Sequence, residues 1–502
     1  MAFSIFRNKR KDESPDGPYD VYPLHFLDRT GLLSLPIMGY NFLYDEILDP
    51  HALYQSLARL MDIGDWRKCG GRLRKNASGH LELHVPKTFT PSYPPINYSH
   101  VSLNQTVREH PLASRLPKNQ GAEPCIVQGI EEFTALGLGS NSRGIPLLKN
   151  HLKSNLPLLS LIVTSFKDAT LVSLHVPHCL LDGMGVSGLL TAWSNTLAQR
   201  EDLVKPVAGA KQDVMEAVST CDESKGPYIL EKLELGGLSF FVFLCRFLWD
   251  RLVGPPAEPV EVYLSSQYLA HLRQIAESEI KKRLGDQTAF FISDGDIITA
   301  WGSQMVLLGE GGEPKGTMSI NNAFDSRSRL PSRFLAPDSV FLQNMILPTT
   351  SVLSREETRE ASLGIMALRV RESILEQTST SQVARIVRIT NRWVSSVGAW
   401  PMFGFWNTRL VTWTNWTKGK FVDAANFGAA VTREEKGVAV AKASTFWASP
   451  FVPFDLPKNN HIIYGKDAQG NYRLQANWCR KTIYHVEQVF MDFKKQTASR
   501  KE

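Results

Sequence analysis

Apolar positions along the chain fall into runs with two different periods. Between Leu156 and His178, LPLLSLIVTSF and ATLVSLHVPH flank the polar pair Lys167-Asp168. Both runs are rich in Leu, Val and Ile, which predicts the two strands of a hairpin. The period then changes. Val186, Leu189, Leu190, Trp193 and Leu197 recur at three and four, so a helix leaves the hairpin. Leu53, Leu57 and Leu60 predict another helix over His51–Met61. In the second half, EPVEVYLS reads as a strand before a helix near Gln267–Arg283. Ser293-Asp294-Gly295-Asp296 has the chemistry of a cap for a helix carrying Ile297, Ile298, Trp301 and Met305. Further strands are predicted near 316–322, 340–347 and 436–447. Residues 201–225 lose periodicity and read as a connection between two halves. The whole is α/β with many non-local strands.

The most apolar stretch is Leu238–Leu252, LSFFVFLCRFLWDRL. Arg246 and Asp250 interrupt it well short of the roughly 20 residues a membrane span needs. A buried or interfacial helix is expected, with no stable membrane insertion. The opening MAFSIFRNKRKDESPDG has too short an apolar run for a secretion signal, and its basic cluster follows that run. A frayed tail and a cytoplasmic location are expected.

Length then sets the number of cores. The 502 residues exceed the roughly 250–300 at which one core stops growing, so at least two domains are expected. With 43% hydrophobic and 21% charged residues, the composition excludes wholesale disorder, collagen and coiled coil. A net charge of +6 without a dense basic face argues against a nucleic-acid partner. Six cysteines without a CxxC pair read as buried thiols in a reducing compartment.

The sharpest chemical feature is His178-Cys179-Leu180-Leu181-Asp182-Gly183. A strand delivers a histidine, an aspartate follows four residues later, and a glycine opens a turn into a helix. Histidine suits general-base work near neutral pH. Asp182 need not touch the ring; it can turn away and hold the loop through an arginine, with Gly183 allowing a sharp turn. By residues alone His178 is a candidate base or a satisfied core histidine. His175 and His178 fall on opposite strand faces and nothing completes a ligand set, so no metal is expected. There is no GxSxG elbow, no GxxxxGK[ST] loop and no HExxH. Gly137-Leu-Gly139-Ser-Asn-Ser-Arg143-Gly144 reads as a loop.

With these motifs in place, the sequence resembles the BAHD-type acyltransferases, in particular their fungal, trichothecene O-acetyltransferase-like branch. HxxxDG and the hairpin feeding it resemble the family's catalytic segment. Tyr22-Pro23-Leu24 with Leu27-Asp28 is similar to its opening, and Gly71-Arg72-Leu73 to the stretch after its first helix. Asp325-Ser-Arg327-Ser-Arg329-Leu330-Pro331 resembles its arginine motif, and Phe341-Leu-Gln-Asn344 follows at the expected distance. Thr414-Asn415-Trp416 is similar to its Thr/Ser-x-Trp strand. Asn426-Phe427-Gly428-Ala429-Ala430 stands where the family has DFGWG. That is a departure, since an amide replaces the family's aspartate and Ala-Ala its Trp-Gly.

The resemblance implies two similar lobes of chloramphenicol-acetyltransferase-like type with a channel between them. The expected division is 1–205, a connection at 206–230, and 231–502. It implies transfer of an acyl group, most simply acetyl, from acyl-CoA to a hydroxyl of a secondary metabolite. No cofactor would be held permanently, acyl-CoA being a co-substrate, and the chain would act as a monomer. His178 would be the base, Asp182 an orienting residue, and Thr414 with Trp416 the oxyanion donors. Gly183, Arg327, Arg329, Asn426, Phe427 and Gly428 would serve the cofactor side. Arg327 or Arg329 would meet the Asn426 amide, a weaker partner than a carboxylate, unless Asp423 compensates. Two other readings remain: a non-catalytic binding relative, favoured by Asn426 and Ala429-Ala430, and a condensation-type domain of peptide assembly, disfavoured by Pro177 before His178.

Overall fold

A computed structural model of the chain describes residues 18–117, 123–139, 145, 147–310, 316–432, 440–452 and 457–499. The opening tail, Ser140–Gly144 and part of the 436–447 stretch lie outside the described residues.

Two mixed sheets organise the molecule. In chain order their strands are β1 (Ile37–Tyr44), β2 (Asn97–Ser102), β3 (Cys125–Val127), β4 (Ser160–Ser165), β5 (Thr170–Pro177), β6 (Ala257–Leu264), β7 (Met318–Asp325), β8 (Ile346–Leu353), β9 (Arg409–Asn415), β10 (Thr445–Phe451), β11 (Asn460–Lys466) and β12 (Tyr472–Cys479). The longer helices are α1 (Pro50–Leu60), α2 (Gly183–Leu197), α3 (Val214–Thr220), α4 (Gly237–Val253), α5 (Ser266–Leu284), α6 (Asp294–Gly309), α7 (Leu363–Gln377), α8 (Thr380–Val397) and α9 (Arg480–Ser499).

The first sheet runs β10-β1-β5-β4-β2 and the second β8-β7-β9-β11-β12-β6-β3. β4 and β5 form the predicted antiparallel hairpin, with Ser165 opposite Thr170. Every residue of β1 and β5 is buried, as expected of strands covered on both faces. One core joins α1 and α2 to the first sheet around Trp66 and Trp193. A second joins α5, α6, α7 and α9 to the second sheet around Trp301, Trp413 and Trp478. The α6 cap is the predicted one: Ser293 and Asp296 close a reciprocal capping box.

The two sheets exchange strands across the expected division at 1–205 and 231–502. β10, from the C-terminal half, lies antiparallel beside β1. β3, from the N-terminal half, forms the edge of the second sheet beside β6. Residues 421–430, with Phe421, Ala425 and Phe427, belong to the first core. The 206–230 segment is not a bare connection either. α3 lies within it and packs Met215 and Val218 with Val383, Ile386 and Val387 of α8 in a third core. Burial of small apolar sets from distant segments makes these exchanges, and no local pattern announces them. The glycine-rich stretch is likewise not all loop, since Ile130–Leu138 forms 3-10 turns. None of the six cysteines is bridged; three are buried, but Cys245 is exposed.

Candidate active site

β5 ends at Pro177 and leaves His178 at the junction of the lobes. The His178 amide donates to the Pro36 carbonyl at 2.9 Å. Its own carbonyl accepts from Asn344 Nδ2 at 2.8 Å. The backbone is therefore clamped from both lobes, while the residue as a whole is only half-buried. Nδ1 is buried and makes no hydrogen bond of ordinary geometry among the described residues. Burial holds the imidazole below its ordinary pKa; contact with its own backbone, the Asp182 charge and Asn344 offset part of that effect. The ring is thus neutral at neutral pH, the state in which it can accept a proton. His175 points to the other strand face, buried between Gly39 and Phe451, with a pKa pushed down to about 3 by burial.

Asp182 is the N-cap of α2 and is wholly buried. Its Oδ1 accepts from the Gly185 amide at 2.9 Å, and its Oδ2 from the Met345 amide at 2.9 Å. Arg327 completes it with two further bonds, Nη1 to Oδ2 at 3.0 Å and Nη2 to Oδ1 at 2.9 Å. Arg327 also donates to Asp325 Oδ1 and to the carbonyls of Phe341 and Gln343. Every nitrogen of that guanidinium is engaged.

Arg327 pairs with Asp182 and Asp325 and not with Asn426, and its donors all meet protein acceptors. Asn426 Oδ1 instead accepts from the Gly428 and Ala441 amides at 3.2 and 3.0 Å, tying a turn within the first lobe. Phe427 is fully buried, its ring 4.3 Å from that of Trp193. Gly428 is buried with it. Arg329 is exposed, and Asp423 pairs with Lys442 at 2.6 Å. The change from aspartate to Asn426 therefore leaves the central ion pair untouched.

Gly183 is the first residue of α2 and does not adopt a left-handed conformation, so no turn requires it. A Cβ there would lie 3.4 Å from Trp416 Nε1, an ordinary contact. Trp416 thus stands directly over the N-terminus of α2, half-buried, its ring 5.8 Å from that of Tyr40 and 5.9 Å from that of Tyr464. Trp413 turns the other way into the second core, stacked 4.0 Å from His461. Thr414 lies within β9, two residues before Trp416, which begins the turn that follows the strand.

Some residues carry the site without having been assigned a role from sequence. Gly185 is one: a Cβ there would fall 2.2 Å from the Leu342 carbonyl oxygen, and one at Gly188 2.7 Å from Val340. These glycines let residues 340–345 lie directly on α2. That contact delivers Asn344 to His178. Asp28, fully buried, anchors the same asparagine. Its Oδ1 accepts from Asn344 Nδ2 at 2.7 Å and the Asn344 amide at 3.0 Å. Burial raises the Asp28 carboxyl and lowers the nearby Lys68 ammonium. Leu27-Asp28 and Phe341–Asn344 were visible as motifs; that they meet was not.

A small cavity of about 130 Å³, partly open to solvent, lies between the sheets, lined by Trp447, Ser449, Glu261, Tyr464, Arg473 and Gln475 among others. His178 is not on its wall. Tyr464 joins it to Trp416. Among the described residues, no group of three His, Cys, Asp or Glu is arranged to hold a metal, and no helix is long and apolar enough to cross a membrane.

Two interlocked α/β lobes with a histidine at their junction define an acyltransferase architecture of the BAHD kind. No protein-family model matches the chain. The acetyltransferase BOT5 of Botryotinia fuckeliana is 38% identical to it, across 96% of this chain and 92% of that protein. The transcriptional regulator calD of Penicillium decumbens is 32% identical, across 94% and 96%. Among solved structures, F. sporotrichioides TRI101 complexed with Coenzyme A and T-2 superposes with a TM-score of 0.64 at 12% identity, over 93% of this chain and 97% of that one. The chain belongs to the fungal BAHD-type acetyltransferase family. Its class of activity is acyl-CoA-dependent O-acylation of secondary metabolites.

Proposed function

We propose that His178 is the general base of this transfer, with acetyl-CoA as donor and a hydroxylated small molecule as acceptor. The observation that carries the reading is a neutral imidazole on a partly exposed residue whose backbone both lobes hold in place. His178 removes the acceptor's hydroxyl proton as that oxygen attacks the thioester carbonyl. The tetrahedral intermediate collapses with loss of the carbon–sulfur bond, and the proton passes from His178 to the coenzyme A thiolate. The products are the ester and free thiol, with no covalent acyl-enzyme. A base so placed contributes about 10²–10⁴-fold. The Trp416 indole N–H over α2, with Thr414 two residues before it, supplies the oxyanion donor; one such donor is worth about 3 kcal/mol.

Asp182 is a positioning residue, since its oxygens are occupied by Arg327, Met345 and Gly185. The intact Asp182–Arg327 pair counts against the reading as a non-catalytic relative, as far as that reading rests on Asn426. The enzyme acts as a cytoplasmic monomer. Thiol release from acetyl-CoA against a panel of hydroxylated terpenoids tests the reading. Wild-type protein should release thiol with an accepted alcohol, and His178→Ala should lose this activity while keeping its unfolding midpoint. Undiminished turnover by His178→Ala removes the base assignment.

A further inference from the structure

α4 is a 17-residue helix of which only Phe243 is buried. Residues 244–253 are all exposed, and they include Phe247, Leu248, Trp249, Leu252 and Val253. The side toward the protein is formed by Phe240 and Phe243, three residues apart. Phe240 packs edge-on against Trp393, with ring centroids 5.1 Å apart. At 3.6 residues per turn, Leu238, Phe241, Cys245, Leu248, Trp249 and Leu252 form a second apolar stripe on the side away from the protein, about a third of the circumference. Leu238, Trp249 and Leu252 are 77%, 68% and 82% exposed. A surface helix ordinarily turns its polar face outward; this one turns an apolar face outward as well.

Charge placement says what covers it. The same geometry sets Arg246 on one flank of the stripe and Arg251 on the other. The helix's one acid, Asp250, pairs with Lys458 at 2.9 Å. Arg246 lies 5.5 Å over the exposed Trp406 ring, which extends the apolar surface beyond the helix. Trp, Phe and Leu on an outward face between flanking arginines match the boundary of a bilayer, acyl chains meeting the stripe and lipid phosphates the guanidiniums. A ridge exposed along ten successive residues is better immersed in a medium than seated in a groove. We propose that α4 docks the enzyme on the surface of a membrane bearing anionic lipids, lying in the interface without crossing it. This does not depend on the assignment of His178.

Co-sedimentation of the full chain with phosphatidylcholine vesicles, with and without phosphatidylserine, tests the proposal. Wild-type protein should pellet with both, more strongly with phosphatidylserine and less at high salt. Leu248→Glu/Leu252→Glu should lower the partition by about tenfold or more while keeping transferase activity in solution. Arg246→Gln/Arg251→Gln should remove only the preference for phosphatidylserine. In wild-type protein, an environment-sensitive fluorophore on exposed Cys245 should shift to the blue when vesicles are added, a readout independent of any variant's folding. Wild-type protein that stays in the supernatant, or that pellets equally well as Leu248→Glu/Leu252→Glu, overturns the proposal. So does a dimer, seen by light scattering, that this double variant dissolves in the absence of vesicle binding; the stripe then belongs to a second copy of the chain.

Discussion

Arg327 closes on Asp182 from 145 residues away in the chain, with Nη1 3.0 Å from Oδ2 and Nη2 2.9 Å from Oδ1. The pair fastens the N-terminus of α2 to the segment after β7, so the loop carrying His178 is set by both lobes together. Because Asp182 is wholly buried, its charge depends on this partner.

Arg327→Met should therefore leave a buried carboxylate without its cation, at a cost of about 3–5 kcal/mol. Denaturant unfolding should show the loss, and kcat/KM should fall with it. The double change Arg327→Met/Asp182→Leu should recover much of the stability and little of the activity. A double variant no more stable than the single would show that the pair's worth is not electrostatic.

Asn344 links Asp28 to the His178 carbonyl, so Asn344→Ala should release the histidine loop without touching the reacting atoms. Of the two side-chain bonds lost, the one to the His178 carbonyl, worth about 1 kcal/mol or slightly more, sets an expected fall in kcat of about tenfold. KM for acetyl-CoA should hold. Steady-state kinetics with each substrate varied in turn separates the two, and a rise in KM alone would place Asn344 in substrate binding instead.

Gly185→Ala places a methyl group 2.2 Å from the Leu342 carbonyl oxygen, whereas Gly183→Ala meets Trp416 Nε1 at 3.4 Å. The first should lower the unfolding midpoint and abolish transfer by forcing residues 340–345 off α2. The second should fold nearly as well as wild type, because its contact is an ordinary one. Thermal unfolding of the two side by side decides, and equal midpoints would show that the crossing segment gives way without cost.

The acid limb of kcat/KM should lie below the ordinary histidine value of 6.5, since burial lowers the His178 pKa. Stability has its own pH dependence. His175 and His461, both pushed down to about 3 by burial, stay neutral in the folded state while the unfolded chain takes up their protons. Their contribution is whole above about pH 6.5 and is lost as pH falls toward 3, at about 1.4 kcal/mol per pH unit for each. Asp28 acts in the opposite direction, because burial raises it and the folded state takes its proton first. His25, pushed down to about 2, joins these two histidines, and Asp213, raised by burial, joins Asp28; three histidines outweigh two carboxyls, so denaturant midpoints measured from pH 7 to pH 5 should fall. A flat profile would contradict the burial of these rings.

What the sequence determined by itself is local. The hairpin of β4 and β5, the helix that follows, the capped α6 and the order HxxxDG can all be read from neighbouring residues, because periodicity and cap chemistry act over a few positions. That Asp182 turns away to an arginine was also legible, since its motif is compact. The partners were decided only by the tertiary structure. Arg327 was visible, yet its choice of Asp182 over Asn426 depends on how residues 340–345 cross α2, and that crossing depends on Gly185. Phe427 looked like a cofactor residue by motif position and is core because residues 421–430 pack into the first lobe. β3 and β10 change lobes for the same reason, since a strand joins whichever edge buries its side chains and pairs its backbone, and that edge comes from chain hundreds of residues distant. α4 follows the same logic. Its apolar run suited either the core or an interface, and only packing on one side of the helix left the opposite stripe facing outward.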